Sequence, residues 1–357
     1  ISEKISFFPS VRVRIKESDL VVAMRELATF VSSKLPLDEC LTGVTTQMKQ
    51  GKLKMIFEDI QKKIREGKSF SEALKDHPQV FSTMIISMVR AGEETGTLDR
   101  ILVRISDFLE KSQTFKNKIR SIMSYPTFML VVSVGVFIFL LTFVTPSITR
   151  IFSQINMTLP LPTVILMKIS RFLKAGWFYI IIGLIILFFA VKRFFTTERG
   201  ARFIDLIRFH VPVLNNIMVK KEIILFARTI STLIEGGVDI IESLKIASQV
   251  ISSPSLRDDV KNIIELLSKG GSLSTSFRTS SHFPYLVTQL VTAGERSGTL
   301  AEMFNRIGEI YEEEVSQSST RLVNFIEPVM ILFMGAVVGI IVLAVLRPIF
   351  QISQSIK

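Results

Sequence analysis

Cysteine appears once in the 357 residues, at Cys40, so an internal disulfide and a cysteine-based zinc site are both excluded. Histidine appears three times, at His77, His210 and His282, and these are scattered along the chain. No two stand at i,i+4, and neither CxxC, HExxH nor a GxSxG elbow occurs. His77 and His282 flank turns, where a solvated or capping role is expected. The stretch Glu66-Gly67-Lys68-Ser69 invites a phosphate-loop reading. That motif needs a glycine five positions before Gly67, and residue 62 is lysine. Paired carboxylates such as Glu93–Glu94 and Glu312–Glu314 lack a partner acid on a neighbouring face. No catalytic residue, cofactor site or metal site is expected, and the chain does not read as an enzyme. Alternating strand patterns are almost absent. Basic residues are spread along the helices rather than gathered in one patch, so nucleic acid is not an expected partner.

Charge is missing from three long stretches, and these organise the chain. Pro328–Leu346 holds 19 residues without a charge, Ala175–Val191 holds 17, and nothing between Arg120 and Arg150 is charged. A bilayer core of about 30 Å needs about 20 apolar helical residues, so all three are expected to span a membrane. The rest is charged enough (21%, against a mean hydropathy of +0.42) to require folded polar domains beside the lipid. The chain opens at Ile1 without Met, so its start is expected to be cut from a longer one. No signal peptide is visible, because Glu3–Lys4 interrupts the short apolar run Ile1–Phe8.

The polar parts repeat. Arg228-Thr-Ile-Ser-Thr-Leu-Ile matches Arg25-Glu-Leu-Ala-Thr-Phe-Val at an offset of 203. Ala293-Gly-Glu-Arg-Ser-Gly-Thr-Leu matches Ala91-Gly-Glu-Glu-Thr-Gly-Thr-Leu at 202, and Glu327-Pro328 matches Tyr125-Pro126 at the same offset. Matches that hold register over so long a stretch indicate a tandem duplication. In each copy, apolar residues at three-to-four spacing predict a series of helices. Ser18–Asp19 should cap the first, Pro36 should interrupt it, and Gly67 should end the third. Ser69-x-x-Glu72 forms a capping box, and Thr299-x-x-Glu302 a second. A long sixth helix from Leu98 should run straight into the first membrane segment.

The expected organisation is all-α: an integral membrane protein with two duplicated cytoplasmic helical bundles and three transmembrane helices. Its parts are a lead-in (1–17), a first bundle (18–120), a first span (121–145), a connector (146–174), a second span (175–191), a second bundle (192–325), a third span (326–346) and a tail (347–357). The middle span belongs to neither repeat and returns the chain, so both bundles share one side. Basic residues near the membrane modestly favour the cytoplasm for that side, which leaves connector and tail periplasmic.

Candidate contact residues follow from the repeats. In AGExxGTL the glycines suit a helix end, whereas Glu93 and Glu295 read either as internal ion-pair partners or as part of a docking surface. Where the last bundle helix nears the membrane, the first copy carries Lys111, Lys116, Lys118 and Arg120, and the second carries Glu312, Glu313 and Glu314. That contrast suggests two different partners, or lipid headgroups beside one copy and drift in the other. Gly335 and Gly339 share one helix face and permit close packing within or between chains. Asn324 and Glu327 sit at the membrane edge, where a carboxylate finds a partner or stays solvated at headgroup depth.

The two AGExxGTL copies, the Tyr125-Pro126 and Glu327-Pro328 junctions, LPLPT at 159–163 and the closing NFIEPVMILFMGAVVGIIVLAVLRPIFQ resemble the bacterial GspF/PilC family of inner-membrane platform proteins. Arg25–Leu41 looks more like the type II secretion branch than the type IV pilus branch. The resemblance implies a non-enzymatic inner-membrane platform. Its implied partners are a separate secretion ATPase, pseudopilins, other inner-membrane secretion components, lipid and further copies of itself. A solute transporter would need a polar path, which Ser133, Thr142 and a few glycines do not supply.

Overall fold

The computed structural model describes residues 15–144, a discontinuous set of positions between 164 and 193, and residues 212–355. No strand occurs among them. The first repeat forms α1 (Glu17–Ser32), α2 (Leu37–Gln47), α3 (Lys52–Arg65), α4 (Phe70–Lys75), α5 (Thr83–Thr95) and α6 (Leu98–Phe139). The second forms α7 (Pro212–Glu235), α8 (Ile240–Ser248), α9 (Pro254–Ser268), α10 (Leu273–Arg278), α11 (Tyr285–Ser297) and α12 (Leu300–Ser355). Each helix of one repeat has its counterpart in the other.

Local chemistry sets most boundaries. Ser69 accepts from the Glu72 amide, and the Glu72 side chain returns to the Ser69 amide, so the expected capping box opens α4. Ser272 does the first half of this for α10, accepting from the Thr275 amide. The box expected at Thr299 does not form, because the Thr299 hydroxyl pairs with Ser297 Oγ at 2.6 Å. The cap expected at Ser18–Asp19 is also displaced. Helix α1 starts at Glu17, with Lys16 before it and no side-chain cap. Glu17 and Asp19 in the first turn supply the negative charge that a helix N-terminus favours.

The chain divides into two compact units. One comprises Ile1–Asn117 and Leu214–Glu313, the other Lys118–Val213 and Glu314–Lys357. In the first unit, α1–α5 and the start of α6 bury Met24, Leu27, Phe57, Phe70, Met88 and Ile105. The second repeat closes around phenylalanines: the Phe226 ring lies 5.4 Å from that of Phe283 and 6.4 Å from that of Phe304. Leu233 of α7 and Ile246 of α8 join the core of the first repeat, so the two repeats form one body.

The second unit holds the apolar ends of α6 and α12. Two helices, Leu98–Phe143 and Leu300–Gly339, are long and apolar enough to cross a membrane. Their large apolar side chains face outward, with Phe325 71% and Leu332 72% exposed. Such a surface is stable only against lipid or another apolar partner. Of the second expected span, Ala175–Val191, ten of the 17 positions are described; all ten are helical, and Tyr179, Ile185, Ile186 and Phe189 are exposed. The lead-in at 1–14 and most of the connector at 145–163 also lie outside them. As expected, α6 runs unbroken from the bundle into the apolar stretch, with Pro126 inside it, and closes in a π-helical turn at Leu140–Val144. The buried Ser170 hydroxyl donates to the Leu141 carbonyl at 2.7 Å, supplying a partner to an acceptor in that turn. Helix α12 continues past Leu346 through Arg347-Pro348 to Ser355.

Candidate functional site

The AGExxGTL turn joins α5 to α6 and α11 to α12, and each of its positions has a distinct structural task. A Cβ on Gly92 would lie 2.9 Å from Ile101 Cγ1 and 3.2 Å from Leu98 Cα. On Gly294 it would lie 2.9 Å from Met303 Cγ and 3.1 Å from Leu300 Cα. The first glycine therefore lets consecutive helices touch backbone to side chain. The second, Gly96 or Gly298, ends its helix with φ of 68° or 73°, a left-handed conformation that favours glycine. Gly294→Ala should destabilise the chain by about 1–3 kcal/mol through overpacking. Thermal unfolding in detergent measures this, and an unchanged midpoint would show that α11 and α12 can separate freely.

Glu93 and Glu295 bind backbone amides rather than forming the ion pairs expected as one alternative. The Glu93 carboxylate accepts the amides of Phe70 (2.5 Å) and Ser71 (3.1 Å) at the start of α4. The Glu295 carboxylate accepts those of Leu273 (2.5 Å) and Ser274 (2.9 Å) at the start of α10. Among the described residues, neither forms an ion pair. The cause is general: the first amides of a helix lack partners within it and carry positive partial charge, so a carboxylate from the next helix satisfies both needs. Burial pushes the Glu295 carboxyl upward, but the hydrogen bonds from Ser274 and Leu273 outweigh it and hold the group below the usual carboxylate range. The signal was present in the sequence: an acid repeated in both copies, following a Ser-started short helix in both.

The charge contrast near the membrane resolves into pairs. Arg25 reaches Glu110 (Nε–Oε1, 2.6 Å) and Asp107 (Nη2–Oδ1, 2.6 Å) across α1 and α6. Its counterpart Arg228 pairs with Glu312 across α7 and α12. Glu312 thus matches Glu110, an acid, rather than the lysines of the first copy, and its carboxylate is used internally. The true contrast is at Glu313 and Glu314 against Lys111 and Ser112. Glu313 is exposed and Glu314 half-buried. Lys116 pairs with Glu17 at 2.5 Å, whereas Lys118 and Arg120 are exposed.

In the second unit, the Tyr125 phenol donates to Glu327 Oε1 at 3.2 Å, so the membrane-edge carboxylate has a partner. The two residues occupy the same repeat position. Asn324 is exposed. Nothing lies within 4 Å of a Cβ built on Gly335 or Gly339, so their face is open toward the described residues.

Among the described residues, no group of three His, Cys, Asp or Glu could hold a metal ion. His77 Nε2 lies 2.8 Å from Asp59 Oδ2, and His282 Nδ1 lies 3.0 Å from Asp259 Oδ2. Each ties the turn after a short helix to an aspartate of the preceding helix, α3 or α9, so the solvated or capping role expected of them gives way to an interhelix pair.

The family model for type II secretion system (T2SS) protein F matches the chain twice, at residues 23–146 and 226–348. These are the two copies of the duplication. A type IV pilus assembly protein PilC from Thermus thermophilus is 34% identical over 340 residues, covering 95% of this chain and 84% of its own length. A type II secretion system protein F from Pseudomonas aeruginosa is 32% identical over 341 residues, covering 94% and 83%. A PilC from the same organism is 29% identical over 342 residues, covering 96% and 91%. Both branches align at similar identity, so the likeness of Arg25–Leu41 to one branch does not separate them.

Proposed function

The chain belongs to the type II secretion system protein F family and is a secretion or pilus platform protein; from this we propose that it couples a separate cytoplasmic secretion ATPase to extraction of pseudopilins from the inner membrane and their addition to a growing pseudopilus. Members of this family are structural components of the membrane machinery rather than enzymes, which fits a chain built from helical surfaces.

The observation that carries the proposal is the continuity of α6 and α12. Each leaves the AGExxGTL turn and reaches its apolar stretch without a break in the helix. Each helix is held by its own backbone bonds on both sides of the junction, less the one that Pro126 or Pro328 cannot donate, and stays a single helix through it. Motion imposed on the bundle can therefore reach the bilayer along two helices at equivalent places. The return of the chain through Ala175–Val191 would put both repeats in the cytoplasm, where the ATPase is. The apolar helices would then present a lipid-facing groove to the single apolar helix of a pseudopilin. The type IV pilus reading shares this mechanism and differs in the fibre; the identity to PilC proteins favours keeping it.

Photo-crosslinking in cells tests the reading, with probes at the exposed positions Glu94, Arg296 and Val338. Capture of a secretion ATPase by the first two and of a pseudopilin by the third is expected. Capture of a pilin instead would move the chain to the pilus branch. Capture of neither, with control probes working, would leave the family's fold without its coupling role. Separately, Gly339→Leu is expected to weaken assembly through the open glycine face without unfolding the bundles. Normal export by that variant would remove the face from assembly.

A further inference from the structure

The two repeats share a body, yet they meet through different faces. On the second repeat the face is α7 and α8; on the first it is α5 and α6. Leu233 and Ile246 sit in one core with Met88 and Ile101. A Cβ on Gly236 would lie 3.2 Å from Met88 Cε and 3.3 Å from Ile101 Cδ1, so the helices touch there. At the margin, Arg104 Nη1 reaches Glu235 Oε2 at 3.3 Å. Since the repeats are copies, this is a head-to-tail contact: one face of the fold against a different face of the same fold. Contacts of that kind do not use themselves up. Each leaves one unused copy of either face, and such interfaces build rings or open chains.

Both unused copies can be located. In register, Leu290 stands for Met88, Met303 for Ile101 and Arg306 for Arg104. Phe30 stands for Leu233, Ser33 for Gly236 and Gly43 for Ile246. Burial follows the prediction of an occupied and an unoccupied contact. Met88 is 0% exposed and Ile101 3%, whereas Leu290 and Met303 are half-buried. Leu233 is 0% exposed and Ile246 2%, whereas Phe30 is half-buried and Ser33 exposed. The Phe30 ring lies over Gly43, its Cε2 3.0 Å from a Cβ built there, filling the place that Leu233 and Ile246 occupy in the other copy.

We propose that a second copy of this chain docks its α1/α2 face, centred on Phe30, against the α11/α12 face centred on Leu290 and Met303, continuing between chains the contact that the repeats make within one. The continued contact lacks its template's ion pair. Ser32 stands where Glu235 would meet the arginine, and Arg306 pairs with Glu309 of its own helix at 3.0 Å. The flexible Met303 replaces Ile101 opposite Ser33, a larger residue than Gly236, and methionine adapts to such a change. Without the ion pair the contact between chains should be the weaker one, forming and parting while the internal contact holds.

The test uses full-length chains in membranes, in a Cys40→Ala background, with a short bis-maleimide. Chains carrying Phe30→Cys and chains carrying Met303→Cys, distinguished by tags, are expressed together. A third chain carrying Arg104→Cys and Glu235→Cys reports the internal contact. The expected result is a two-chain species containing both tags, with little from either single variant alone, together with the internal bridge in the third chain. Adding Met303→Glu to the chain that supplies the α11/α12 face, with its thiol moved to Arg306→Cys, should lower the two-chain species by about tenfold or more. Four results would overturn the proposal. The mixed species could be absent while the internal bridge forms. The single variants could link to themselves, which reports a symmetric pair instead. Met303→Cys could be captured only by a different protein such as an ATPase. The internal bridge could fail to form, which removes the template.

Discussion

Arg228→Ala is expected to cost about 3–5 kcal/mol, the range for leaving one member of a buried ion pair alone. The Arg228 side chain is 11% exposed and that of Glu312 20%, so the carboxylate left behind has little water to turn to. The aliphatic part of the arginine is lost as well. Its Cγ lies 3.0 Å from a Cβ built on Gly308, so the stem packs directly on α12. The same substitution in the first repeat should cost far less. There Arg25 is 35% exposed and its partners Asp107 and Glu110 are 50% and 43%, so solvent screens the pair and about 1 kcal/mol or less is expected. Thermal unfolding of the full chain in detergent compares the two directly. Equal shifts for Arg25→Ala and Arg228→Ala would show that burial does not govern these pairs. Arg228→Lys gives a second reading: it keeps the charge but loses the forked guanidinium, and should fall between wild type and alanine.

Glu295→Ala should cost about 2–4 kcal/mol, because two amides at the start of α10 lose a charged acceptor at once. The loss has a pH signature. The folded-state pKa of Glu295 lies below its ordinary value, so its contribution is fully present above that value. It disappears as pH falls through the depressed one. Wild type should therefore lose stability on acidification below the usual carboxylate range. Glu295→Gln should start less stable at neutral pH and show a flatter acid limb. An acid limb unchanged by Glu295→Gln would mean that other carboxylates carry the response. Asp59 and Glu110 are the natural candidates, each held low by hydrogen bonds from Lys63 and Arg25 respectively.

Much of the architecture could be read from residue order alone, for a physical reason. Duplication makes each weak local signal appear twice, and helices are set by local spacing and caps. The Ser69–Glu72 box, the stop at Gly67 and the unbroken run from Leu98 all lie within a few residues of their causes. What could not be read depends on contacts between segments far apart. Glu93 caps a helix 23 residues earlier, and Arg228 finds an acid 84 residues later. The acidic run at 312–314 was set against the lysines of the first copy as a block. Only the fold shows that its first member faces inward with Arg228. The head-to-tail meeting of the repeats leaves no trace in periodicity, because the three-to-four spacing that forms each helix is the same whether or not its outer face is covered.

The hydrogen bond between Tyr125 and Glu327 joins the same position of the two copies to itself. A chain with one repeat, meeting its twin at that point, would set like against like. Two phenols could form only a neutral bond, one donating and the other accepting, and two carboxylates would repel. Writing both copies into a single gene frees the position from self-complementarity, so that one helix keeps a donor and the other an acceptor. Halves of this protein are therefore not interchangeable parts. A chain rebuilt from two first halves would exchange this charge-assisted bond for a weaker neutral one, and two second halves would replace it with a repulsion.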